Sequence, residues 1–171
     1  MKTAIALIEE VMKEHESVLE GVHRLDQMVN DPKALSQLDE ARDAFMPGRF
    51  DQKEKLASIG ELFDSLDKGL EAHFEREETA VLATFVEHGD RELVSSFRSL
   101  MQEHTELRNR LAATKKYLSR LSSGELSAHH WQATAYDLRA YIAHTRELLQ
   151  AHAEAEQGLL MALRQRLAPG E

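Results

Sequence analysis

Apolar residues return every three or four positions along most of this chain, a spacing that gathers them on one face of an α-helix. Ile8, Val11, His15, Val18, Leu19, Val22 and Leu25 form one such stripe and predict a helix from about Thr3 to Asn30. Asp31-Pro32 then reads as an N-cap followed by proline at the first helical position, opening a short helical segment toward Phe45. Met46-Pro47-Gly48-Arg49 breaks it. A second long helix is predicted from Asp51 to His88, through Leu56, Ile59, Leu62, Phe63, Leu66, Leu70, His73, Glu77 and Val81, and it stops at Gly89-Asp90. The third runs from Arg91 to about Leu121, with Phe97, Leu100, Met101, His104, Leu107 and Leu111 in register, and Ser122-Ser123-Gly124 ends it. The fourth, Ser127 to Leu167, carries Leu138, Tyr141, Leu148, His152, Glu156, Leu159 and Leu163. Apart from residues 31–50 the links are short, so the expectation is all-α: an up-down-up-down four-helix bundle with a short helical insertion between helices 1 and 2. Residues 1–171 are read as one domain, with 31–50 as the insertion or linker.

Composition supports helices and removes whole classes of chemistry. The chain is 42% hydrophobic with only three Pro, which suits one helical domain with a sizeable core. It has no Cys, so disulfides, thiolate metal sites and cysteine nucleophiles are excluded. A formal charge of −9 argues against a nucleic-acid partner, since phosphate binding needs a basic face. The apolar start from Ala4 to Ile8 meets Glu9 and Glu10 too soon for a signal or membrane span, so no membrane association and a cytoplasmic location are expected.

The candidate chemistry lies in His73-Phe-Glu-Arg-Glu77 and His152-Ala-Glu-Ala-Glu156. Residues four apart stack on one helix face, so each pair offers an imidazole and a carboxylate in one direction. Nine His among 21 Glu would produce about one such spacing by chance, and the chain holds three; the third, His88 to Glu92, spans the Gly89-Asp90 turn. His15 and His104 stand alone, each flanked by apolar residues on its stripe. Either alone reads as a hydrogen-bonded core histidine. Two His–Glu pairs aimed at the same core change that reading, because each buried carboxylate costs several kcal/mol without a compensating cation or dense hydrogen bonding. Two metals held between facing helices would supply it.

Counting from the turns tests whether these groups meet. His73 lies 16 residues before Gly89 and His104 lies 14 after Asp90, close to one level. His104 lies 18 before Ser122 but His152 lies 25 after Ser127, an excess of about 10 Å of helix. Either the fourth segment starts its helix late, or His144 takes that level; His152 is preferred because its Glu partner and flanks suit a core.

The order lone His, H-x-x-x-E, lone His, H-x-x-x-E over four helices resembles the hemerythrin-like (HHE cation-binding) family. The resemblance implies a bundle holding two non-haem Fe ions with an oxo or hydroxo bridge. His15, His73, His104 and His152 would be terminal ligands, and Glu77 and Glu156 would bridge. Imidazole and carboxylate also suit Mn and Zn as substitutes. Oxygen-carrying members place a second His four residues after the third-helix ligand, where this chain has Arg108, and use H-x-x-x-x-D where it has H-x-x-x-E. The pattern is closer to members associated with nitric oxide, peroxide and iron stress, including iron–sulfur repair proteins, whose extra cysteine-bearing domain has no counterpart here. The expected partner is a small diatomic or peroxide ligand, bound or reduced at the centre; an iron-responsive sensor or interaction module is the alternative. A homodimer and enzymatic turnover are left open.

The other histidines carry less. His88 closes a helix, His129 and His130 sit near a helix start, and His23 and His144 could share a layer about 12 Å from the metals as a relay or weak second site, or simply be exposed. Arg108 is read as steering anions or pairing with a core Glu, Glu75, Glu78 and Glu154 as surface or outer-shell groups, and Trp131 as a packing anchor.

Overall fold

The computed structural model describes residues 2–30 and 50–168, and side chains for 3–30 and 55–168. Helix α1 is Lys2–Asn30. Helix α2, residues 50–88, comprises Phe50–Arg76, a π-helical turn over Glu77–Val81, and Leu82–His88. Helix α3, residues 91–122, comprises Arg91–Met101 and Glu103–Ser122, joined at Gln102. Helix α4 is Ala128–Leu167. All regular structure among the described residues is helical, in the expected up-down-up-down arrangement, with α1 and α3 each packed between α2 and α4. The short helical segment expected from Asp31 toward Phe45, and the break at Met46–Arg49, lie outside the described residues.

The turns follow local chemistry. Asp90 caps α3 by accepting a hydrogen bond from Leu93 N at 2.8 Å, and Ser127 caps α4 by accepting from His130 N. Gly89 is required by space: a Cβ there would lie 2.6 Å from the Phe85 carbonyl oxygen. Gly124 leaves α3 at φ +72°, a conformation other residues rarely adopt. Trp131 anchors the start of α4, donating from Nε1 to the Leu121 carbonyl at 3.2 Å.

Each amphipathic stripe passes through two apolar layers with a polar one between them. Toward the 122–128 turn, Val22, Leu25, Phe63, Leu70, Leu107, Leu118, Trp131 and Leu138 form one cluster. Toward the 88–91 turn, Ile8, Val11, Val81, Phe85, Phe97, Leu160 and Leu163 form another, all of them fully buried. Phe85 and Phe97 stack there with ring centroids 4.1 Å apart. Replacing Phe85 by Ala is expected to destabilise the fold by about 3–5 kcal/mol, through lost burial and the cavity left behind. Urea denaturation measures it, and a loss below about 1 kcal/mol would contradict this layer as core.

Candidate metal centre

The polar layer is made of the six residues singled out by spacing: His15 from α1, His73 and Glu77 from α2, His104 from α3, His152 and Glu156 from α4. None is more than 5% exposed. Two local departures from regular helix flank it. The π turn begins at Glu77 and brings both Glu77 and Glu78 within reach of α3. The tightened joint at Gln102 directly precedes Glu103 and His104.

The potential ligand atoms fall into two groups sharing one residue. Those of His15, His73, Glu77 and Glu156 lie within 4.8 Å of one another, as do those of Glu77, His104 and His152. Glu77 spans the groups: Oε1 is 2.5 Å from His73 Nε2 and 3.3 Å from His15 Nε2, while Oε2 is 3.1 Å from His104 Nε2. Glu156 Oε2 lies 3.1 Å from His15 Nε2 and 3.8 Å from His152 Nε2. His104 and His152 bring their Nε2 atoms to 3.1 Å. All four rings thus present Nε2 to one small volume.

The Nδ1 atoms face outward, and three of them meet carboxylates. His73 Nδ1 pairs with Glu14 at 2.9 Å, His104 Nδ1 with Glu78 at 2.8 Å, and His152 Nδ1 with Glu103 at 2.9 Å. Donation from Nδ1 leaves a lone pair on Nε2, the tautomer a metal ligand needs, and fixes the ring plane. Arginines brace two of these carboxylates: Arg76 contacts Glu14, and Arg108 holds Glu78 through NH1 at 2.7 Å while also reaching Glu71. Glu14 and Glu103 escaped the sequence reading. A signal was present, since each is the residue immediately before a lone histidine, and each reaches the histidine of the neighbouring helix.

Burial and mutual charge distort the ionisation of this layer. Burial lowers the His15 imidazole, but hydrogen bonds to Glu156 and Glu77 overcome it and push the ring up to about 9. Burial raises the Glu156 carboxyl, Glu77 repels its charge, and the group is pushed up to about 7 against the His15 bond. Glu77 is also raised by burial, yet its bonds with His104, His15 and His73 win and hold it well below the usual carboxylate range. Burial keeps His152 below the ordinary histidine value despite Glu103, with the His104 charge acting in the same direction as burial. Glu156 Oε1 and His15 Nδ1 are buried without a hydrogen bond, while Glu77 Oε2 is met by His104 Nε2 at 3.1 Å. Four inward nitrogens, two buried carboxylates and an orphaned oxygen on Glu156 fit a cation pair.

The height mismatch at the fourth helix has a simple cause. Helix α4 is helical from Ala128, and His144 is exposed, so neither alternative offered by residue counting holds. Helical side chains lean toward their own N-terminus. Across the α3–α4 turn this lean carries the His104 and His152 rings toward each other and absorbs several ångströms of offset. Across the α2–α3 turn it carries His73 and His104 apart, which places those two rings in different groups despite similar counts of 16 and 14 residues. His23, His129, His130 and His144 are exposed, and among the described residues none joins a cluster of three potential ligands. Arg108 pairs with Glu78 and Glu71, partly exposed outer carboxylates, rather than with the core glutamate expected.

The model of the hemerythrin HHE cation-binding domain matches residues 6–163, and the chain belongs to that family. No curated protein and no solved structure gives a significant match. Membership agrees with the helical bundle and its His/Glu clusters, and no described helix is long and apolar enough to cross a membrane.

The ionisation of the layer sets a pH dependence for chelator-stripped protein. His15, raised from 6.5 to about 9, contributes stability that is fully present below pH 6.5 and lost as pH rises through about 9. Glu156, raised from 4.5 to about 7, acts in the same direction at lower pH. Urea midpoints in EDTA are therefore expected to fall between pH 6.5 and 9. Metal affinity should climb over the same window, because the proton on His15 competes with the cation. A midpoint that rises toward pH 9 in EDTA would refute this.

Proposed function

We propose that this protein holds two iron ions in the polar layer and uses them to bind or react with dioxygen, peroxide or nitric oxide. The observation that carries the reading is the convergence of four Nε2 atoms on two carboxylates, with three of the rings locked outward by Glu14, Glu78 and Glu103. His15 and His73 would serve one metal, His104 and His152 the other, and Glu77 and Glu156 would lie across both. The whole chain is read as one domain of cytoplasmic location, with 31–50 as an insertion. Zn or Mn would fit the same donors.

When bound, a redox-active metal pair supplies sites for a small ligand and shares the charge that develops on it. The chain's own part is positioning and exclusion. The two apolar clusters above and below the layer restrict water, and Phe74 packs flat on His104 at 4.1 Å. Arg108 lies over the Phe74 ring, 5.3 Å from its centroid, with its guanidinium engaged by Glu71 and Glu78. The position that is a ligand histidine in oxygen carriers is therefore an outer brace here, which disfavours oxygen storage.

One observation favours a second reading. Glu77 and Glu156 repel each other at zero exposure, so a cation that relieves this would tighten the bundle, as an iron sensor requires. Large iron-dependent gains in melting temperature without peroxide turnover would support the sensor; a stable stripped bundle with turnover after iron loading would support the enzyme.

Elemental analysis of protein expressed in iron-replete medium is expected to give about two irons per chain, with near-ultraviolet ligand-to-metal absorption. Glu77→Ala and Glu156→Ala should each abolish paired loading, while His144→Ala, on an exposed residue, should load normally. Purified protein without bound metal would overturn the proposal.

A further inference from the structure

The polar layer repeats in sequence with approximate two-fold symmetry, and one difference between its halves falls on the outer support of a single ring. Helices α1 and α3 correspond, as do α2 and α4. Glu14-His15 matches Glu103-His104, and each preceding glutamate reaches a histidine across the helix pair at the same 2.9 Å. His73-x-x-x-Glu77-Glu78 matches His152-x-x-x-Glu156-Gln157. Glu78 accepts from His104 Nδ1, but its counterpart Gln157 is exposed, and His15 Nδ1 is buried with no partner. The backbone differs in the same place. The π turn starting at Glu77 accompanies the Glu78 contact, whereas α4 is regular α-helix through Gln157.

We infer that the two metal positions are unequal: the one served by His104 and His152 binds tightly, and the one served by His15 and His73 is exchangeable. Both rings of the first position are fastened by carboxylates, and Arg108 braces Glu78 with two bonds. Only His73 is fastened at the second. A carboxylate on Nδ1 makes Nε2 a stronger donor and removes the entropy of ring rotation, and losing such a partner typically weakens metal binding about 10–100-fold. The two positions are thereby suited to filling in order, and to holding different metals. The inference rests on the two-metal reading of the site.

Cobalt(II) titrated anaerobically into the chelator-stripped full chain, followed by visible absorption and calorimetry, tests it. Two steps are expected, with dissociation constants differing by roughly 10–100-fold. His15→Ala should remove the weaker step and His104→Ala the tighter. Glu78→Gln gives position 78 the residue found at its counterpart 157, takes the carboxylate away from His104 Nδ1 and should bring the steps together. Glu71→Gln releases Arg108 from one carboxylate but leaves His104 fastened, and should keep them apart, which separates ring support from surface charge. Two equal steps in the unaltered chain, a separation that survives Glu78→Gln, or loss of the tighter step in His15→Ala would each overturn the inequivalence while leaving the two-metal reading standing. Fewer than two cobalt ions per chain would overturn both.

Discussion

Two carboxylates with no solvent exposure, Glu77 and Glu156, sit at the middle of this bundle, and everything around them accommodates that fact. Each would cost several kcal/mol if left unpaired, more than a typical core contact returns. The protein answers by ringing them with four imidazoles, so that each acid can share hydrogen-bonded protons or, in the proposed state, lie across a pair of cations. The contacts are uneven: three imidazoles approach Glu77, while Glu156 has one close imidazole and an oxygen without a partner.

That ring of donors in turn needs support. Three outer glutamates orient three of the imidazoles, and arginines hold two of those glutamates in place, so charge alternates outward from the centre to the surface. Apolar layers on both sides make the arrangement rigid. Phe74 joins the two systems, stacking on His104 inside and carrying Arg108 above it. A hemerythrin HHE cation-binding fold thus appears here in a version whose third helix contributes one histidine and an arginine brace.

Much of this was legible in the chain itself. Helix limits expected at His88, Arg91 and Leu167 agree with the structure, because caps and breakers such as Asp90, Gly89 and Gly124 act locally. The six central residues were also legible, since a polar residue on an apolar stripe must end up buried and therefore needs partners. The π turn at Glu77 and the joint at Gln102 were not, because each trades local hydrogen-bond geometry for contacts made by other helices.

Sequence alone determined which side chains enter the core and on which helix faces, because helical period and burial are local and additive. Tertiary structure decided how they are grouped. Similar residue counts placed His73 close to the level of His104, yet the lean of side chains toward each N-terminus pairs His15 with His73 and His104 with His152. It also decided that Glu14, Glu78 and Glu103 belong to the site and Gln157 does not. A hydrogen bond between neighbouring helices depends on their relative height and rotation, and neither is written in the period of a single helix.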